Sequence, residues 1–193
     1  MHLLKADRHR AMPWKNGKGV TREVASEPLP GDPAGRFLWR ISLATVEGES
    51  DFSPFPGIDR TIVVLAGDGM QLKVDGVKQP EMRALCDPFP FSGDSEVSAR
   101  CLAGPITDLN VMTFRGHAWH RVQRYAFDGS LVLSSVKALS AIVFTGACTV
   151  RVDGIELAAE GQDVLCSIVA NVNVHLTAER GSVIYFIEME LLP

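Results

Sequence analysis

Val64-Leu65-Ala66-Gly67-Asp68-Gly69-Met70-Gln71-Leu72-Lys73-Val74-Asp75-Gly76 is answered in the second half of the chain by Val143-Phe144-Thr145-Gly146-Ala147-Cys148-Thr149-Val150-Arg151-Val152-Asp153-Gly154. Each stretch reads as a strand, a tight glycine turn, an alternating strand and an Asp-Gly hairpin turn. Two copies of such a unit are too few for a solenoid and point to a duplicated β-barrel. The segment from Met12 to Glu23, rich in polar and basic residues, precedes only the first copy, so binding chemistry is expected in the first half.

Working outward, strand signals run through Phe37 to Val46, Thr61 to Leu65, Met70 to Val74, Glu96 to Leu102, Leu109 to Phe114, His120 to Phe127, Leu131 to Ser135, Leu139 to Phe144, Cys148 to Val152, Asn173 to Thr177 and Val183 to Met189. Helical period is scarce, and the breaks between strands carry Gly, Pro, Asp and Asn, which places the chain in the all-β class. The proline-rich stretches 28–33 and 87–94 read as stiff surface loops, not flexible linkers. The halves therefore divide near residue 115: 1–115 as an N-terminal barrel with the ligand pocket, 116–193 as a C-terminal scaffold barrel, the two packed as one compact unit.

The chain has 193 residues, 46% of them hydrophobic, and a formal net charge of -4. No lysine-arginine run could neutralise a phosphate backbone, so nucleic acid is not an expected partner. No apolar stretch approaches the length of a membrane helix and no secretory signal opens the chain, so a cytoplasmic location without membrane contact is expected. Cys86, Cys101, Cys148 and Cys166 are dispersed and read as small buried hydrophobes.

Candidate binding residues fall in four segments. Trp14-Lys15-Asn16-Gly17-Lys18-Gly19 lacks the spacing of a nucleotide-binding P-loop, yet with Thr21 and Arg22 it offers an aromatic wall and several donors. In Phe37 to Ala44, alternation sets Arg40 and Ser42 on one face, and Asp108 shares a face with Asn110 and Met112 in the later strand. Phe52-Ser53-Pro54-Phe55-Pro56-Gly57-Ile58-Asp59-Arg60 is a stiff loop in which Arg60 could clamp a carboxylate, with Asp59 orienting it. His117 and His120 lack further ligands at useful spacing, so neither a metal nor another cofactor is expected.

On these segments the sequence resembles the HutD/Ves family: Met-Pro-Trp-Lys-Asn-Gly at 12–17, Thr21-Arg22-Glu23, Trp39-Arg40-Ile41-Ser42, the loop ending in Asp59-Arg60, and Asp108-Leu109-Asn110-Val111-Met112. Lys18 stands where the family often has Gly. The resemblance implies a double-cupin β-barrel and a role limiting bacterial histidine utilisation by binding an intermediate such as N-formylglutamate. The usual cupin metal signature is absent here.

The leading expectation is a binding protein for a small carboxylate, with Lys15, Arg22, Arg40 and Arg60 supplying charge, Asn16, Ser42 and Asn110 neutral hydrogen bonds, and Trp14, Phe52 and Phe55 an apolar wall. The alternative is a metal-independent isomerase or hydrolase using Asp59 or Asp108 as general base. A homodimer is compatible with either. Elemental analysis of protein purified without chelator is expected to find less than one equivalent of any transition metal; a full equivalent surviving dialysis would contradict the reading.

Overall fold

The computed structural model describes residues 1–14, 17, 19–33 and 35–192. Its strands are β1 (His2–Leu4), β2 (Arg10–Pro13), β3 (Gly19–Pro28), β4 (Phe37–Val46), β5 (Glu49–Asp51), β6 (Ile58–Ala66), β7 (Met70–Val74), β8 (Val77–Met82) and β9 (Phe89–Ser92). There follow β10 (Val97–Cys101), β11 (Ile106–Phe114), β12 (Ala118–Ser134), β13 (Leu139–Phe144), β14 (Cys148–Val152), β15 (Ile155–Ala159), β16 (Val164–Ile168) and β17 (Asn173–Leu191). A single 3-10 turn at Ala6–Arg8 is the only helical element among the described residues, and none is long and apolar enough to cross a membrane.

The repeated hairpins form as their sequences demand. Val74 pairs with Val77 across Asp75-Gly76, and Val152 pairs with Ile155 across Asp153-Gly154. Both central residues of each turn have positive φ, 48° and 80° in the first and 50° and 78° in the second. That backbone is the type I′ turn whose twist matches the flanking strands, and Asp-Gly suits it.

Residue contacts divide the chain into two units: Arg10–Trp119 with Leu192, and Met1–His9 with His120–Leu191. The first nine residues thus sit with the second half, although chain order alone assigns them to the first. The cause is local: β1 pairs with β16, and Leu3 packs against that unit's core.

The Arg10–Trp119 unit holds two antiparallel sheets, β2-β3-β4-β11-β6-β9 and β5-β10-β7-β8. Ile62, Val64 and Ile106 from the first sheet meet Met70, Leu72, Val97 and Ala99 from the second in one apolar core. Pro90 lies in β9, inside a segment whose composition reads as a loop; β9 is an edge strand, where a missing N–H costs no ladder bond. Residues 19–23, which read as part of a polar binding arm, belong to the full strand β3, paired along its length with β4.

The second unit is built on one seven-stranded sheet in the order β1-β16-β13-β17-β14-β15, with β12 also on β17. Phe144, Phe186, Ile142, Leu165, Val150 and Leu176 fill its interior.

Gly69 has φ +114°, and a Cβ there would collide with the Met82 carbonyl oxygen, whereas Gly76 at φ +80° faces open space. Gly69→Ala is therefore expected to cost about 1 to 3 kcal/mol in chemical denaturation, and more than Gly76→Ala, which adds backbone strain without the clash.

Candidate functional site

The register of three neighbouring strands builds the wall of a cavity. Met112 on β11 stands between Arg40 on β4 and Arg60 on β6, Asn110 between Ser42 and Ile62, and Asp108 between Ala44 and Val64. Side chains of one strand repeat their direction every second residue, so all three rows face the same side. With Met12, Pro13, Trp14, Thr21, Asp51, Phe52, Ser53 and Phe55, the polar members of these rows line a cavity of about 600 Å³.

Arg60 is only 5% exposed. Its guanidinium carbon lies 4.8 Å from the ring centre of Phe91, 5.2 Å from that of Phe52 and 5.3 Å from that of Phe55. Nη1 donates to the Ser53 carbonyl at 3.3 Å, while the Nε–H has no hydrogen-bond partner among the described residues. Burial pulls its pKa from 12.5 down to about 10 against the attraction of Asp108, and nearby Arg40 lowers it further. At neutral pH it remains a cation.

Arg40 Nε sits 2.9 Å from Glu23 Oε2 on β3, an ion pair lacking the alignment of a hydrogen bond. Asp108 is 2% exposed, and burial pushes its carboxyl from 3.8 up to about 7 despite Arg60. Asn110 Oδ1 beside it is buried without a hydrogen-bond partner. At the rim, Trp14 Nε1 donates to Thr21 Oγ1 at 2.8 Å. Its indole lies so close to Gly19 that a Cβ there would meet ring carbons at 3.0 and 3.1 Å.

Trp14, Thr21, Arg40, Ser42, Phe52, Phe55, Arg60, Asp108 and Asn110 thus come together. Arg22 and Asp59 do not line the cavity. Arg22 alternates with Thr21 and Glu23 and donates from Nη1 to Thr45 Oγ1 at 3.3 Å. Asp59 precedes Arg60 on a strand, so it faces the other way and binds Arg115 at 2.7 and 2.9 Å. Lys15 and Asn16 lie outside the described residues. Sequence reasoning passes over Phe91, which β9 sets directly opposite Arg60, and over Glu23 as the partner of Arg40.

A groove of about 720 Å³ also marks the second unit, among residues 130–132, 151–154 and 171–177. It is larger, but its charged lining residues Arg151, Asp153 and His175 are exposed, and Arg151 is already paired with Glu156. Buried, unsatisfied polar atoms rather than volume single out the first cavity. Its donor set does not suit a metal ion: its one buried carboxyl shares the lining with two arginines, and no group of three or more His, Cys, Asp or Glu among the described residues could hold one.

Comparison with known proteins agrees with this architecture. The HutD family model matches residues 6–186. The chain belongs to the HutD family. It is 40% identical over 158 residues to the 21.2 kDa protein in the hutC 3′ region of Pseudomonas putida, an alignment covering 79% of this chain and 77% of that one. The PA5104 protein of Pseudomonas aeruginosa PAO1 superposes with a TM-score of 0.86 at 32% identity, covering 100% of this chain and 99% of that one. HutD from Pseudomonas fluorescens SBW25 does so with a TM-score of 0.82 at 31% identity and the same coverage. A cupin 2 conserved barrel domain protein from Leptotrichia buccalis, 12% identical with a TM-score of 0.59 over 93% of this chain and 92% of that one, shares the fold alone. This HutD-family chain is accordingly an all-β, double-cupin protein.

The raised pKa of Asp108 has a consequence for stability. The folded state keeps this proton up to about pH 7, while an unfolded carboxyl releases it near 3.8, so the folded state binds more protons between those values and stability falls as pH rises through them. Asp108→Asn removes the ionisation. In scanning calorimetry its unfolding midpoint is expected to gain on the parent's as pH is raised across that range and to keep a constant lead above it.

Proposed function

We propose that the protein binds a small carboxylate such as N-formylglutamate in the cavity of the Arg10–Trp119 unit, and thereby limits histidine utilisation. The observation that carries this reading is the placing of Arg40 and the buried Arg60 in one cross-strand row of the cavity, with the Arg60 Nε–H unsatisfied among the described residues. A guanidinium presents a planar fork matched to carboxylate, and low-dielectric walls strengthen the attraction well beyond its value in water. A volume of about 600 Å³ suits a ligand of this size. The hut context named for the relatives supports the choice of pathway.

A second reading draws on Asp108. A carboxyl with a pKa of about 7, beside a buried arginine, has the properties of a general base at neutral pH. Incubation with N-formylglutamate, followed by mass spectrometry of the small molecule, separates the two: recovery of unchanged ligand supports binding, and accumulation of a product supports the enzyme.

For the binding reading, calorimetry on Arg60→Ala is expected to show a loss of roughly 2 to 5 kcal/mol, because that cation is desolvated. Arg40→Ala, whose charge is already shared with Glu23, should lose less. Unchanged affinity in both variants, or no carboxylate binding by the parent, would remove the assignment.

A further inference from the structure

The lining of the cavity carries chemistry that a carboxylate clamp leaves unused. Asp108 and Asn110 lie two residues apart on β11 with both side chains turned to the cavity. Asn110 Oδ1 is buried without a hydrogen-bond partner among the described residues, and the Asp108 carboxyl, on a residue 2% exposed, is attracted by Arg60. The hydroxyl of Ser42, the residue paired across from Asn110, bonds neither of them. A buried acceptor is costly to leave unmet, and here one stands two residues from a buried carboxyl in the lining of a ligand-sized cavity. An anion offers Asn110 Oδ1 and the ionised Asp108 nothing, since its oxygens are acceptors too.

We propose that Asp108 and Asn110 read an N–H donor on the ligand, so that the site takes a carboxylate bearing an amide or ammonium nitrogen and discriminates against plain dicarboxylates. The inference rests on the carboxylate reading and adds to it. The arginine row holds the anionic end, and Asn110 and Asp108, two and four residues away along β11 or about 7 and 13 Å by strand rise, take the nitrogen. Long arginine side chains shorten the gap that the ligand must span. Asp108 in its ionised form is a pure acceptor, which makes this part of the lining complementary to N–H and hostile to an ester or ether oxygen in the same place.

The protonation state of Asp108 depends on its whole surroundings. Arg60 on β6 favours the carboxylate, while Arg40 on β4, paired with Glu23 on β3, and Asp51 are the other charged groups near the cavity. The Cys101 thiol on β10 is itself pushed up in part by Asp108 and stays neutral. With burial holding Asp108 near 7, the acceptor form gains as pH rises through neutrality, and with it the preference for N–H.

The test is calorimetry at about pH 8 with four probes: N-formyl-L-glutamate, the ester analogue 2-formyloxyglutarate in which oxygen replaces the N–H, L-glutamate, and glutarate. The expected result is at least about tenfold tighter binding of N-formyl-L-glutamate or L-glutamate than of the ester and glutarate. Whichever of the first two leads identifies an amide or an ammonium donor. The advantage should shrink at about pH 6, and the probes should converge in Asp108→Leu. Equal affinities of N–H and oxygen probes for the parent protein overturn the proposal while leaving the carboxylate reading intact. If no probe binds, both fall. The parent comparison decides the matter even if the variant does not fold.

Discussion

A buried guanidinium sets the terms for the first unit. Desolvating a cation is expensive, and the expense is met only when the surroundings return interactions of comparable strength. Around Arg60 these come from three phenyl faces, the Ser53 carbonyl and the Asp108 carboxyl. Phe52, Ser53 and Phe55 belong to one loop, which is why that loop must be stiff. It is tied by Phe52 N donating to Val97 O at 2.8 Å and Phe55 N to Gly93 O at 2.9 Å. Gly93 is confined to glycine because a Cβ would press on the carbonyls of Phe55 and Ile58. β9 then brings Phe91 against the remaining face of the cation.

Asp59 finds its role in the same arrangement. It grips Arg115, which also reaches Asp94 at 2.9 Å, and Asp94 in turn accepts from Gly57 N at 2.9 Å. This exposed network secures the far side of the loop whose near side cages Arg60. Individually such surface pairs contribute little, but several charges on one bidentate arginine restrain geometry better than a lone pair. Asp59 therefore acts on the cavity through the loop, and its neighbour in sequence acts within it.

Much of this was legible in the sequence wherever a rule of period two or of turn chemistry applied. Asp75-Gly76 and Asp153-Gly154 name their own turns, and the alternation of Arg40 with Ser42 and of Asp108 with Asn110 places each pair on one face. The same alternation, applied strictly across β3 and the start of β6, separates Arg22 from Thr21 and Asp59 from Arg60. Adjacent charges invite a reading as partners, yet a strand turns them apart. What no local rule supplies is pairing between distant segments: β1 joining β16, Glu23 meeting Arg40, and Phe91 landing opposite Arg60. Phe91 is further masked by Pro90, which signals a loop everywhere except on a sheet edge.

The two units then use one grammar for different ends. Both build the same type I′ hairpin and bury alternating apolar side chains, but the second closes its interior with Phe144, Phe186 and Leu165. The first interrupts its apolar face with Arg40, Ser42, Arg60, Asp108 and Asn110, forgoing the stability that packing those positions would bring. Because buried charge is harder to sustain than buried hydrocarbon, such a set persists only where each member supports another: Asp108 lowers the cost of Arg60, and Arg60 keeps Asp108 from being wholly neutral. The acceptor that this mutual support leaves unmet among the described residues, Asn110 Oδ1, is the part of the site that the proposed ligand would complete.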